Sequence, residues 1–167
     1  MAKTLEDMLI SQGALDRIYK GSAELYLWRA LRKESSGSGN PLYPEFDVKV
    51  IKRRDGSVQR RLPDMETEDK DGETYVFPVI GKGTSLFDKE GAFGNTFWVY
   101  FRIPKGTFIP EGLIITKDEF NSKYNATHYT ISPNYRMTKS DFLRLLDDLR
   151  RNALEREKAL KSEKGGE

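Results

Sequence analysis

The glycines and prolines between positions 81 and 112 constrain the fold of this chain more than anything else in it. Gly81, Gly83, Gly91, Gly94, Pro104, Gly106, Pro110 and Gly112 follow one another too closely for a long helix to form there. The runs they separate are rich in β-branched and aromatic residues. Tyr75 to Ile80, Phe97 to Ile103 and Leu113 to Thr116 read as strands, and His128 to Ser132 reads as a fourth. Helical signals lie toward the ends. Thr4 with Asp7 three residues on, and Thr138 with Asp141, are capping-box-like starts. Behind the second, Phe142, Leu145, Leu146, Leu149 and Ala153 make one apolar stripe. The first start predicts a helix over Thr4 to Tyr19, interrupted at Gly13. Ala23 to Leu31 fits a strand or a helix, and its aromatic content favours the strand; Ser35 to Asn40 reads as a loop and Lys117 to Tyr124 as a short helix. Strands in the middle with helices at the ends predict an α+β fold. Three stretches follow: an N-terminal helical segment (1–22), a main domain (23–153) and a charged helical extension or tail (154–167).

The charged residues are balanced overall and unbalanced locally. Lys and Arg total 28 against 26 Asp and Glu, a formal net charge of +2. The isoelectric point near 8.7 falls below the value of about 9 that marks basic nucleic-acid-binding domains. Yet Lys49, Lys52, Arg53, Arg54, Arg60 and Arg61 are followed by Asp64, Glu66, Glu68, Asp69, Asp71 and Glu73. The basic half admits a phosphate-binding patch. The favoured reading is a charged hairpin turning at Asp55-Gly56, then a mobile loop, because the acidic run would partly cancel the basic field. No apolar stretch is long enough to span a membrane. Glu6 and Asp7 interrupt the first ten residues, which therefore make no Sec signal peptide. A protein made in the cytoplasm is expected, with export by a machine reading no such signal left open.

The chain has no cysteine and one histidine. Thiol nucleophiles, disulfide scaffolds and His- or Cys-rich metal sites are excluded. Three features remain. Gly81-Lys82-Gly83-Thr84-Ser85 is too short for a Walker loop. Its glycines and hydroxyls suit a phosphate, a sugar hydroxyl or a carboxamide, and equally an ordinary turn. His128 lies on a strand, where a lone histidine is more often a structural hydrogen-bonder. A Ser85–His128–Asp hydrolase is formally available, but no nucleophile elbow accompanies it. Arg29 sits among apolar side chains in Leu25 to Leu31, so it needs an anion: an internal carboxylate or a bound phosphate.

The order Gly83-Thr84-Ser85-Leu86-Phe87-Asp88, Ile103-Pro104-Lys105-Gly106-Thr107, Ile109-Pro110, Ala126-Thr127-His128-Tyr129-Thr130-Ile131 and Arg151-Asn152-Ala153 resembles a known family. It is that of the small ADP-ribosyltransferase-like effector toxins of the Pseudomonas type VI secretion system, the second "type VI secretion exported" protein and its relatives. The resemblance implies an ADP-ribosyltransferase-like split, bent β-sheet core with flanking helices over 23–153. It implies NAD as substrate, with Arg29 holding the dinucleotide, Thr84 and Ser85 shaping the cleft and His128 near it. Catalysis is thus expected at Thr84, Ser85 and His128, and NAD binding at Arg29, Thr84 and Ser85. The usual catalytic Glu has no counterpart at its expected place; Glu111 and Glu119 are near in sequence but do not match the motif. The implied protein is a cytotoxic effector, transferring ADP-ribose to a target macromolecule or cleaving NAD in the target-cell cytoplasm. A cognate immunity protein would neutralise it. The first twenty residues and the charged C-terminal extension could serve loading into a secretion apparatus, packing against the partner, or solubility alone. Two rivals stand beside this reading. One is a non-catalytic binding module using Lys49 to Glu73; the other is an RNA-acting enzyme using His128 and the basic patch.

Overall fold

The computed structural model describes residues 4–35 and 39–165. In chain order the helices are α1 (Leu5–Ser11) and α2 (Lys139–Gly165). The strands are β1 (Ile18–Tyr19), β2 (Leu27–Arg32), β3 (Lys49–Lys52), β4 (Val58–Arg61), β5 (Thr67–Lys70), β6 (Glu73–Val76), β7 (Thr84–Phe87), β8 (Trp98–Ile103), β9 (Leu113–Asn121), β10 (Ala126–Pro133) and β11 (Met137–Thr138). A six-stranded antiparallel sheet runs β1-β9-β10-β7-β2-β8. A three-stranded sheet runs β11-β6-β5, and β3-β4 form a separate ribbon. The chain is α+β with the split sheet of the ADP-ribosyltransferase-like fold.

Both helix starts are as the sequence predicts. Thr4 Oγ1 accepts the Asp7 N–H at 3.0 Å, and Thr138 Oγ1 accepts that of Asp141 at 3.1 Å. The first helix is shorter than its signal. Gly13 at φ +71° ends it, and the chain reaches Tyr19 as strand β1, paired with β9. Leu5 and Leu9 close over Ile114. On α2, Phe142, Leu146, Leu149 and Ala153 are fully buried against Leu27, Leu86, Ile103, Ile115 and Ile131. Each large side chain so buried contributes about 1.5–3 kcal/mol. Past Ala153 the helix continues, tied back where the Arg156 Nε donates to the Lys105 carbonyl at 3.0 Å.

Two local expectations are corrected. Lys117 to Tyr124 is not helical: β9 runs to Asn121, opposite Ala126, and pairing with β10 overrides a weak helical pattern. The Asn121 side chain takes the Lys123 and Tyr124 N–H groups, and Asn125 turns the chain at φ +50°. Asp64 to Glu73 is not an unstructured loop either. Asp71 (φ +54°) and Gly72 (φ +80°) make the two-residue turn that matches strand twist, so β5 and β6 pair. The hairpin at Asp55-Gly56 is present as predicted, in the five-residue loop Arg53 to Ser57. Of the loop expected over Ser35 to Asn40, residues 36–38 lie outside the described residues.

The join between β7 and β2 matters most for function. It consists of one pair, Trp28 opposite Phe87, whereas β2 and β8 pair along Leu27 to Arg32. Beyond Phe87–Trp28 the two strands part. The other flank of β7 is held tightly. A Cβ on Gly83 would lie 1.9 Å from the Ile131 carbonyl oxygen, and its φ of +151° suits only glycine. Gly83 is therefore explained by the close approach of β10.

Candidate active site

Arg29 fills the opening between β2 and β7. Its Nε donates to the Pro41 carbonyl at 3.2 Å and its Nη1 to the Ser85 carbonyl at 3.3 Å. Among the described residues no carboxylate comes within ion-pair distance of it. The internal ion pair that the sequence allowed is not formed. Burial pulls the Arg29 pKa below its ordinary value, more than the attraction of Asp64 and Glu45 restores, and Arg61 adds repulsion. The guanidinium has donors left over, and it lines two adjoining cavities.

The larger cavity, about 510 Å³, lies between β2, β8, the segment 39–45 and α2, with Tyr43, Phe101, Arg150 and Leu154 on its walls. The smaller, about 280 Å³, is bounded by Ser85, Phe87, Phe93 and Trp98, and by Lys49, Arg61 and Asp64. Each is within or close to the roughly 300–1,000 Å³ of small-molecule sites. Phe93 is the centre of an aromatic wall, 5.0 Å from Phe87 and 4.8 Å from Trp98 between ring centroids. Glu45 borders both cavities, beside Arg29.

Segment 40–45 is a fixed strap across this opening. Asn40 and Tyr43 both donate to Asp147 Oδ1 on α2, at 3.0 and 2.7 Å. That bond pushes the Tyr43 pKa up to about 12. Leu42 is fully buried, and its carbonyl accepts the Thr84 hydroxyl at 2.5 Å. The Glu45 N–H donates to Asp64 Oδ2 at 2.9 Å, and the Asp64 N–H returns to the Glu45 carbonyl at 2.8 Å. The Glu45 carboxylate meets Lys49 Nζ at 2.7 Å.

His128 occupies a different setting. Phe87 lies opposite it in the register and packs edge-on against its ring at 5.3 Å. Beyond Phe87, His128 opens onto two shallow grooves, one lined by Glu119, Phe120, Asn121 and Ser122, the other by Arg17, Ile80, Gly81, Asp118 and Glu119. A β-bulge places two residues of β9, Asp118 and Glu119, against His128 alone. Asp118 Oδ2 then lies 2.8 Å from His128 Nδ1 and accepts the Thr130 hydroxyl at 2.5 Å. With a carboxylate on Nδ1, that nitrogen carries the proton, and the neutral ring keeps its lone pair on Nε2.

Of the residues singled out from sequence, Arg29 and Ser85 come together at the small cavity. Among the described residues the Ser85 hydroxyl has no partner, so it is available to a ligand. Thr84, one position before, points into the core and is committed to Leu42; it lines neither cavity. His128 stands on the far side of Phe87. Glu119 is with His128, and Glu111 lines none of these hollows. Two residues were missed. Glu45 follows Pro44 in a segment with no local motif. Asp118 lies in a stretch whose pattern reads as a short helix, although its two-residue spacing from Thr116 fits a strand face. Among the described residues no group of His, Asp and Glu is placed to hold a metal ion.

Comparison with known proteins identifies the family. Residues 6–158 match the family described as Tse2 ADP-ribosyltransferase toxin. The toxin Tse2 of Pseudomonas aeruginosa is 36% identical over 116 residues, which cover 70% of this chain and 68% of that protein.

Proposed function

The chain belongs to the Tse2 ADP-ribosyltransferase toxin family, and from that premise we propose that it is a cytotoxic effector that consumes NAD. The observation that carries the reading is Arg29: a half-buried guanidinium, bonded among the described residues only to main-chain carbonyls, at the edge of two cavities. A pyrophosphate is the kind of anion such a group receives, and it suits the planar fork of arginine. Lys49 and Arg61 stand on the same wall and add to the field.

The reaction places demands that this cleft meets. The bond between nicotinamide and ribose C1′ breaks, and its electron pair leaves with neutral nicotinamide. A nucleophile on an acceptor, or water, then bonds to C1′ and gives up a proton. Positive charge develops on the sugar, so a carboxylate is needed beside it. Glu45 is the carboxylate that borders both cavities next to Arg29, and we assign that role to it. Phe87, Phe93 and Trp98, set edge-on and tilted to one another, offer an apolar wall for a ring, and the Ser85 hydroxyl orients ribose or carboxamide. Thr84 acts indirectly, by fixing the strap that carries Glu45. We place His128 on the acceptor side, where Nε2 takes the incoming proton. The acceptor is a macromolecule of the target-cell cytoplasm. A cognate immunity protein covering the cleft and export by a secretion apparatus without a Sec signal complete the proposal.

The test is nicotinamide release from NAD by the purified protein, with and without cell lysate. The parent is expected to release it, and Glu45→Gln to lower the rate about 100-fold, the scale of losing one transition-state partner. A parent that kills on expression yet releases no nicotinamide under either condition overturns the enzyme reading and supports action by binding alone.

A further inference from the structure

The aromatic wall of the smaller cavity depends on a turn that belongs to no strand. β7 and β8 flank β2 in the sheet, so the chain over 88–97 crosses that strand. Within it the Gly94 N–H donates to the Gly91 carbonyl at 2.8 Å, which makes 91–94 a turn with Phe93 at its third position. Both glycines have positive φ, +70° and +80°, and two glycines so placed leave a turn free to take other shapes. Side chains restrict it. Ala92 is buried with Phe87 and Ala126. The Phe93 N–H donates to the Tyr100 hydroxyl at 2.9 Å, and that hydroxyl donates to the Gly94 carbonyl at 2.7 Å. One hydroxyl thus uses its acceptor and its donor on the main chain around Phe93. The Phe93 ring then meets Phe87, Trp98 and Tyr124 at 5.0, 4.8 and 4.6 Å between centroids.

We propose that Tyr100 is a positioning residue that presets Phe93 as the clamp for the nicotinamide ring. The inference rests on the function proposed above, which puts a ring against Phe87, Phe93 and Trp98. Phe87 and Trp98 stand on β7 and β8 and are placed by strand register, opposite His128 and Arg32. Phe93 is the member of the wall that a turn carries, and it is the one in contact with both of the others. A ring entering the cavity gains most from a neighbour that already has its place. Ordering a loose turn at the moment of binding costs backbone entropy. Tyr100 removes that cost beforehand, from a strand whose own position is set by pairing with β2 along Leu27 to Arg32. Tyr100 lines the larger cavity and not the smaller, so it acts on the ring through Phe93.

The experiment compares the full-length parent with Tyr100→Phe, which keeps the ring and removes the hydroxyl. Hydrogen exchange over residues 88–97, read by mass spectrometry, should quicken roughly 2- to 12-fold in the variant, the scale of one neutral hydrogen bond. Calorimetric titration with NAD should show a loss of affinity of roughly 2- to 12-fold, the scale of one aromatic contact. Affinity for ADP-ribose, which has no nicotinamide ring, should be unchanged. Phe93→Leu should lose NAD affinity in the same selective way. The double variant Tyr100→Phe, Phe93→Leu should lose no more than Phe93→Leu alone, because the hydroxyl acts through that ring. Unchanged exchange over 88–97 overturns the proposal, and so does an additive double variant. Equal losses for NAD and ADP-ribose also overturn it, and would put Tyr100 against whatever fills the larger cavity. A parent that binds neither ligand overturns the function proposed above, and the clamp with it. A parent that binds both and releases nicotinamide, but shows no selective loss in Tyr100→Phe, loses the clamp alone.

Discussion

Arg29 and His128 are both basic groups on strands of the same sheet, and the structure treats them oppositely. Among the described residues, Arg29 is given two carbonyl oxygens and no anion. His128 is given a carboxylate at 2.8 Å, itself held by Thr130. Carbonyl dipoles satisfy N–H donors but leave a charge uncompensated, and a buried uncompensated charge is expensive. The fold thus keeps a standing demand for an anion at Arg29 and has already met the one at His128. The first is the mark of a ligand site. The second is the mark of a ring held in one orientation, with only Nε2 left for chemistry.

The sharpest way to break this contrast is Arg29→Ala. Charge-assisted hydrogen bonds contribute about 1.5–3 kcal/mol, so affinity for NAD should fall roughly 10- to 150-fold. The fold should survive, since no internal ion pair is severed and a desolvated charge is removed. Calorimetric titration with NAD, beside a thermal melt, reads both. An unfolded variant would show that the two carbonyls, and not a ligand, are what Arg29 is for.

That contrast was only half legible in the sequence. Arg29 was visible because a charge inside Leu25 to Leu31 is conspicuous against its neighbours. Its partners were not, because Pro41 and Ser85 are 12 and 56 positions away. The local signals that read correctly are those whose physics is short-range: the two helix caps, the Asp55-Gly56 hairpin and the stripe on α2. Asp118 and Glu45 were lost for the opposite reason. Asp118 meets His128 only through a bulge in the β9–β10 ladder, and Glu45 reaches the cleft only because a strap is tied to α2 and β7. The motif around Gly83 divides between packing and the cleft. Its glycine answers to the Ile131 carbonyl, and of its two hydroxyls one faces the core and one is left for the cleft.

Thr84 and Ser85 extend the comparison to neighbours on one strand. Thr84→Val leaves the buried Leu42 carbonyl without its donor and should destabilise the protein by about 1–3 kcal/mol. Ser85→Ala breaks no hydrogen bond and should leave the unfolding midpoint in denaturant unchanged, while weakening NAD affinity. Chemical denaturation of both variants decides the matter. Thr84→Val with full stability and no nicotinamide release would move that hydroxyl from the core into the chemistry.

The smallest effect on the dinucleotide is expected at His128. Because Phe87 stands between His128 and the Arg29 cavity, His128→Gln should leave NAD affinity and nicotinamide release to water within about threefold, the scatter of a position that touches neither the leaving group nor the charged transition state. Transfer to an acceptor should fall further, since the acceptor's proton then has no base. Asp118→Asn should follow His128→Gln in transfer, because an amide no longer fixes the proton on Nδ1. Measuring nicotinamide release and acceptor labelling on the same samples separates the two steps. Equal losses in both, for His128→Gln, would put the ring at the ribose and join the two sites that Phe87 divides.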